Sequence, residues 1–222
     1  MEERLETIRR ELFSAVIGDV LDAAGMTVQF LPPSITPLEP GMVVVGRAMP
    51  VLEADCAGTE LGHSGEHQPF GLMLTALDDL RPDEVYLCAG ASPTYALWGA
   101  LMTTRAKHLG AAGAVMDGFC RDTREIAQLG FPVFSTGRYA QDQGARGRVI
   151  DFRCTLRFRN GVVVRPGDIV FGDSDGVVVI PSEHEEAVVA DALKKARSEN
   201  LVRTALENGM SVTQAFKQFG VM

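Results

Sequence analysis

Two charged residues of opposite sign stand side by side at Arg121-Asp122, inside the run Asp117-Gly118-Phe119-Cys120-Arg121-Asp122-Thr123-Arg124-Glu125. A guanidinium can hold a carboxylate through two parallel hydrogen bonds. A carboxylate beside it can bind a hard divalent ion such as Mg²⁺, which keeps several of its waters. The same residues also suit a structural role. Asp122-x-x-Glu125 has the spacing of a helix capping box, and Arg121 could pair with a carboxylate. The two roles are compatible, because a capping carboxylate has a second oxygen. A second stretch, Trp98-Gly99-Ala100-Leu101-Met102, follows the loop Gly90-Ala91-Ser92-Pro93. Amides at a helix start favour anions, and Gly99 permits close backbone approach. Alternatively, Gly99 is a packing glycine and Trp98 a core or interface aromatic.

These residues need elements to carry them. Ala114-Val115-Met116 reads as a short strand covered on both faces. Asp117-Gly118 then turns the chain, and Thr123 to Leu129 reads as a helix stopped by Gly130. Arg121 and Asp122 therefore sit beyond a strand's carboxyl end, where open α/β sheets bind ligands. Val85 to Ala89 reads as a strand, Tyr95 to Leu109 as a helix stopped by Gly110, and Pro132-Val133-Phe134 as the next strand start. Upstream, residues 2–24 show helical spacing, 26–40 form a proline-bearing connection, and Val43 to Val51 is a strand. Pro40-Gly41, Pro82-Asp83 and Pro166-Gly167 each set a turn before a β-branched run. Arg148 to Val164 and Ile169 to Ile180 are β-rich, with Asn160-Gly161 as a hairpin turn. Ser182 to Glu185 and Ser211 to Gln214 read as capping boxes, the first opening a helix over Ala187 to Val202. The expectation is one α/β unit, 1–222, with a parallel βαβ half, a β-rich half and C-terminal helices.

Bulk properties narrow the function. At 222 residues the chain can bury a full core. Hydrophobic residues make up 46% and charged residues 23%, a globular balance. A net charge of −8 disfavours a nucleic-acid backbone as partner and offers no polybasic membrane signal. No apolar run approaches the length of a membrane span, and no signal peptide follows the charged start. A cytoplasmic location is expected, with Cys56, Cys88, Cys120 and Cys154 reduced. The loop from Thr59 to Pro69 holds His63, His67, Glu60 and Glu66 without a zinc-like spacing; it reads as a polar loop or a substrate-contacting one. Asp19 and Asp22 read as a solvated helix face, and Gly172 to Gly176 as a turn between strands.

Four motifs occur in order: Trp98-Gly99-x-Leu101, Gly110 to Val115, Asp117-Gly118-x-x-Arg121-Asp122-x-x-Glu125, and Gly130-Phe131-Pro132-Val133-Phe134. Together they resemble the RraA-like family, over about Ser14 to Phe219. That family includes class II 4-hydroxy-4-methyl-2-oxoglutarate / 4-carboxy-4-hydroxy-2-oxoadipate aldolases and regulators of RNase activity. The resemblance implies a swivelling β/β/α domain, assembled as trimers or hexamers with sites between subunits. It implies Asp122 as the ligand of a divalent Mg²⁺ or Mn²⁺ ion and Arg121 as the binder of a 2-oxo acid. It assigns the substrate carboxylate to Gly99 and the amides of Leu101 and Met102. Glu199 corresponds to a carboxylate supplied by a neighbouring subunit, and Glu125 and Asp117 are candidates for supporting positions.

One position departs from the pattern. The aldolases carry Asp or Glu between the glycine and leucine of the first motif, and this chain has Ala100. Alanine can neither accept a hydrogen bond nor activate a water. Either another carboxylate substitutes, or metal binding is weak, or the activity has changed. The leading expectation is a lyase releasing pyruvate from 4-hydroxy-2-oxo acids, with possible decarboxylation of oxaloacetate. The alternatives are a non-catalytic trimeric regulator and a related metal-dependent enzyme acting on a sugar acid.

Overall fold

The computed structural model describes residues 2–56 and 70–220. The segment from Thr59 to Pro69, with His63 and His67, lies outside them. The chain begins with helices α1 (Glu2–Glu11) and α2 (Ser14–Ala23). Strands β1 (Thr36–Pro37) and β2 (Val44–Asp55) follow, then α3 (Met73–Asp78) and β3 (Glu84–Ala89). The central stretch is β4 (Ala96–Trp98), α4 (Ala100–His108), β5 (Gly113–Met116), β6 (Phe119–Cys120) and α5 (Thr123–Leu129). Next come β7 (Val133–Ser135), β8 (Gly137–Arg138), β9 (Gly147–Phe152), β10 (Leu156–Arg157) and β11 (Val163–Val164). Strands β12 (Ile169–Asp173) and β13 (Gly176–Ile180) precede α6 (Glu185–Glu207) and α7 (Val212–Phe219).

Among the described residues, eight strands form one mixed sheet in the order β1-β7-β5-β3-β2-β12-β13, with β9 pairing β2. β2, β3, β5 and β7 run parallel, the βαβ half anticipated from the alternating pattern. β12, β13 and β9 are antiparallel additions, the β-rich half. Successive β3 residues alternate between two cores. Tyr86 and Cys88 pack beneath α3, α4 and α5, while Val85, Leu87 and Ala89 join Leu156, Phe158 and Val164 of the β10–β11 region. With both faces covered, the strand carries no charged residue after Glu84 at its start. A third core lies where α1, α2 and α6 cover Phe171, Val178 and Ile180.

The three proline-turn starts precede β2, β3 and β12 as read, with Asp83 and Gly167 at positive φ (64° and 89°). Residues 2–24 are two helices rather than one. The chain breaks at Leu12-Phe13, and Asp173 accepts the backbone N–H (2.8 Å) and hydroxyl (2.7 Å) of Ser14 at the new start. That partner is 159 positions away, so no local pattern signals it. Ser182 to His184 forms a 3-10 turn without a side-chain cap. The expected capping partner Glu185 instead receives Arg47 across the fold, which holds its carboxyl below the usual carboxylate range. Asp19 reaches Lys195 at 2.6 Å on an exposed surface. Cys88, Cys120 and Cys154 form no disulfide, and no described helix is long and apolar enough to cross a membrane.

Candidate active site

The residues expected to be helical from Tyr95 onward divide in two. Ala96–Trp98 is a strand, and the helix starts only at Ala100. The reason is pairing that the local sequence cannot show. β4, β6 and β8 form a small parallel sheet in which Trp98 lies opposite Cys120, and Cys120 opposite Arg138. The N–H of Arg121 then donates to the carbonyl of Trp98 at 2.9 Å. This sheet brings the two motifs together, so the end of β4 and the end of β6 face one site. Trp98 itself is buried against Tyr86 and Phe131 and donates its indole N–H to Thr103 at 2.7 Å. Its role is to anchor the strand end.

Asp122 stands at the helix N-cap position of α5, yet its side chain makes no capping bond. Its backbone is left-handed, φ 57° and ψ 31°, a conformation that costs most non-glycine residues about 1–2 kcal/mol. The N–H of Glu125 donates to the Asp122 backbone carbonyl (3.0 Å) rather than to its carboxylate. That carboxylate turns away from its own helix, and its Oδ2 accepts the N–H of Ala100 at 3.2 Å. A Cβ at position 99 would fall 2.8 Å from this oxygen, so Gly99 is required for close approach.

Arg121 is shared between two carboxylates. Its Nη1 lies 2.9 Å from Asp142, and its Nε 3.8 Å from Asp122. Asp142 was not among the residues singled out from the sequence. It occupies an irregular stretch that folds back over β4, through Tyr139 N–H on Cys120 and Ala96 N–H on Gln141. The only signal available was a polar run after Arg138. The neighbouring Gln143 donates to Glu53 at 2.9 Å. Glu53 is 2% exposed, and burial pushes its carboxyl up to about 8, with Asp55 adding to the shift.

Arg121, Asp122, Asp142 and Gln143 line a cavity of about 270 Å³, together with Gly99, Leu101 and Met102. Hydrogen bonding within α4 begins with Thr103 N–H on the Gly99 carbonyl (3.0 Å), which leaves the amides of Leu101 and Met102 outside the helical ladder. Donors at a helix start beside a guanidinium are groups that favour an anion. Ala100, by contrast, is 3% exposed and packs in the apolar core.

Residues 14–179 match the RraA-like family (Aldolase/RraA). The chain belongs to the RraA-like family. A protein of Halalkalibacterium halodurans, provisionally named 4-hydroxy-4-methyl-2-oxoglutarate aldolase, is 33% identical over 93% of this chain and 90% of its own length. Protein DlpA of Legionella pneumophila is 31% identical over 93% of this chain, which spans only 32% of that protein. Among solved structures, an uncharacterized protein of Pseudomonas syringae superposes with a TM-score of 0.82 at 26% identity, covering 97% of both chains. RraAS2 of Streptomyces coelicolor, a member of the RraA protein family, shares the mixed α/β fold with a TM-score of 0.76 at 23% identity, over 91% of this chain and 96% of its own.

Within this RraA-like chain, Arg121, Asp122, Gly99, Leu101 and Met102 share one cavity. Three other candidates lie elsewhere. Asp117 is buried in a separate cleft, 3.6 Å from Arg159, where burial raises its carboxyl above the ordinary range. Glu125 is exposed on α5. Glu199 lies on α6, beside a groove that includes Phe13, Asp19 and Arg203, with Lys195 at 3.9 Å.

Proposed function

We propose that this chain is a divalent-metal-dependent lyase that releases pyruvate from 4-hydroxy-2-oxo acids. The observation that carries the reading is the Asp122 carboxylate, withheld from capping by a left-handed backbone and aimed across Gly99 beside Arg121. The donor set suits Mg²⁺ or Mn²⁺. Asp122 retains one oxygen outside its bond to Ala100 N–H, and its side chain is 46% exposed, leaving room for waters and substrate. Among the described residues no cluster of three His, Cys, Asp or Glu forms a cage. One or two carboxylates plus substrate is the usual way such an ion is held. Bound there, the ion would polarise the 2-keto oxygen as a Lewis acid.

Arg121 and the amides of Leu101 and Met102 would clamp the substrate carboxylate and share the charge developing on the oxo group. Retro-aldol cleavage removes the proton of the C4 hydroxyl and breaks C3–C4. The electron pair moves toward C2 and is then quenched by a proton at C3. Ala100 cannot supply the base. Asp142, already in the cavity wall, is the carboxylate that would substitute. Decarboxylation of oxaloacetate needs no such base, so it should survive where aldol cleavage is slow. Assembly as a trimer or hexamer would let Glu199 of a neighbouring subunit reach the cavity that it does not reach within one chain. The buried Ala100 favours a second reading, a non-catalytic regulatory trimer.

The test is pyruvate release from 4-hydroxy-4-methyl-2-oxoglutarate and from oxaloacetate with Mg²⁺ or Mn²⁺, with EDTA, and with Asp122→Ala. Metal-dependent release that disappears in the variant is expected. Release unchanged by EDTA would overturn the metal assignment, and no release from either substrate would favour the regulator.

A further inference from the structure

Glu53 and Gln143 form a tie that the proposed reaction does not use. Glu53 lies on β2 in line with Met49 and Val51, both core residues of the face under α3 and α4. A carboxyl is a costly occupant of such a position. Two other buried carboxyls have structural partners: Asp168 accepts the N–H groups of Arg165 and Ser182, and Glu84 holds Arg153. Glu53 instead receives the side-chain amide of Gln143 at 2.9 Å. The sheet is irregular at this point. Leu52 faces Asp151 on β9 while Glu53 faces Val149, which leaves Ile150 as an extra residue. Such a bulge bends the strand that carries it, here the strand into which the Asp142 stretch leads.

Gln143 is next to Asp142 and is the buried member of the irregular stretch from Tyr139 to Arg146, at 4% exposure. Backbone bonds hold the two ends of that stretch. Tyr139 N–H donates to Cys120 and Ala96 N–H to Gln141 at one end; Cys56 N–H donates to Arg146 at the other, at 2.7 Å. The span between carries Asp142, and the Gln143 side chain fastens that span to β2. Asp142 is itself divided between two contacts. Its Oδ1 lies 2.9 Å from Arg121 Nη1, and its Oδ2 accepts the Gly144 N–H at 2.9 Å. Glu53 stands behind the cavity and not in its wall.

Building on the pyruvate-lyase reading of this cavity, we propose that Glu53 is a positioning residue that acts through Gln143 to hold Asp142 in place against Arg121. Asp142 is the base proposed for the C4 hydroxyl, and Arg121 clamps the substrate carboxylate. Both tasks depend on alignment, and a displacement of about 1 Å can cost about a hundredfold in rate. Aldol cleavage uses both groups, whereas decarboxylation uses the clamp without the base. Loss of the tie therefore weighs more on aldol cleavage. Burial, with Asp55 adding to it, raises the Glu53 carboxyl to about 8. Near pH 7 it is mostly protonated, and glutamine reproduces its length and its acceptor oxygen.

The experiment compares Glu53→Met and Glu53→Gln with the parent, each as the full chain with Mg²⁺. Aldol cleavage of 4-hydroxy-4-methyl-2-oxoglutarate, decarboxylation of oxaloacetate and hydrogen exchange are measured. Methionine fills the core position without offering an acceptor to Gln143. It should lower kcat for aldol cleavage at least about tenfold and lower decarboxylation less. It should also speed exchange of the Arg146 and Gly147 N–H groups, which donate to the Gln143 carbonyl at 2.6 and 3.0 Å. Glu53→Gln should recover most of the loss. Gln143→Leu should show the same skew between the two reactions, and the double variant should be no worse than either single one. Parental aldol turnover in Glu53→Met, an equal fall in both reactions, or additive losses in the double variant overturns the inference and leaves the lyase reading standing. If Glu53→Met does not fold, Gln143→Leu decides: a skew toward decarboxylation supports the inference, and an unchanged ratio overturns it. If the parent releases no pyruvate, the lyase reading falls and hydrogen exchange decides the tie, with unchanged exchange in Glu53→Met overturning it.

Discussion

Helices α5 and α7 begin with the same local grammar: a short polar residue followed three positions later by a residue with a long polar side chain. At α7 the grammar is obeyed. Ser211 has an ordinary extended backbone (φ −71°), its hydroxyl accepts the N–H of Gln214 at 3.3 Å, and the Gln214 side-chain oxygen accepts the N–H of Ser211 in turn. At α5 the carboxylate of Asp122 ignores its own helix and binds the N–H of Ala100 on another one. The first helix start serves stability. The second gives up a cap, worth about 1 kcal/mol, and accepts a left-handed backbone. What it gains is a carboxylate placed beside Arg121. This departure from a local rule at one of two otherwise similar positions is the observation on which the proposed role of Asp122 rests.

The largest expected effect separates the two. Asp122→Gly removes the carboxylate but suits the left-handed backbone. Pyruvate release should fall at least about a hundredfold, while thermal stability stays within about 1 kcal/mol of the parent. Retained turnover with a clear loss of stability would make Asp122 an ordinary cap and erase the contrast.

Next in size is the pH response of the support behind the site. Glu53 is raised in the folded chain from 4.5 to about 8. Between those values the native state binds a proton that the unfolded chain has released. Its contribution is therefore complete below about pH 4.5 and is lost as the pH rises toward 8, by up to about 1.4 kcal/mol per pH unit. Glu53→Gln should flatten that part of the stability profile in denaturant titrations, and an unchanged slope would reject the assignment. No equivalent should exist behind α7, where the capping groups are exposed and uncharged.

A smaller effect probes the donor side of the contact. Ala100→Asp places a carboxylate at a position that is 3% exposed, and should cost about 1–3 kcal/mol of stability. If position 100 is the missing base, aldol cleavage should rise relative to oxaloacetate decarboxylation in the same preparation. A constant ratio would point to Asp142 as the substitute.

Smallest is Ser211→Ala, expected to lower the local stability of α7 by about 1 kcal/mol. Hydrogen exchange of the α7 amides should detect it, with turnover unchanged. A turnover loss comparable to that of Asp122→Gly would show that α7 also serves the site.

Much of this arrangement is legible in residue order, for identifiable reasons. The β3, β5 and β7 strands and the α5 helix follow from apolar runs and glycine stops, whose causes lie within a few residues. So does the Ser211 capping box, where donor and acceptor are three positions apart. The proposed ligands Arg121 and Asp122 stood out because opposite charges follow directly after a buried strand. The split of residues 2–24 was hidden because Asp173, which holds the second helix start, is remote in sequence. The strand at Ala96–Trp98 was hidden because its partners are Phe119 and Cys120. Apolar residues in a short run satisfy a helix or a strand equally until a neighbour offers hydrogen bonds.

Composition, periodicity and turn chemistry were enough to establish the α/β class, a parallel βαβ half and a charged pair at a strand end. These depend on local steric and solvation preferences carried by each residue. Only the tertiary structure decided that Asp122 leaves its own helix uncapped and that Asp142 takes part in the Arg121 pair. Those outcomes depend on contacts between segments tens of positions apart, where the hydrogen-bonding and packing partners exist only once the sheet has formed.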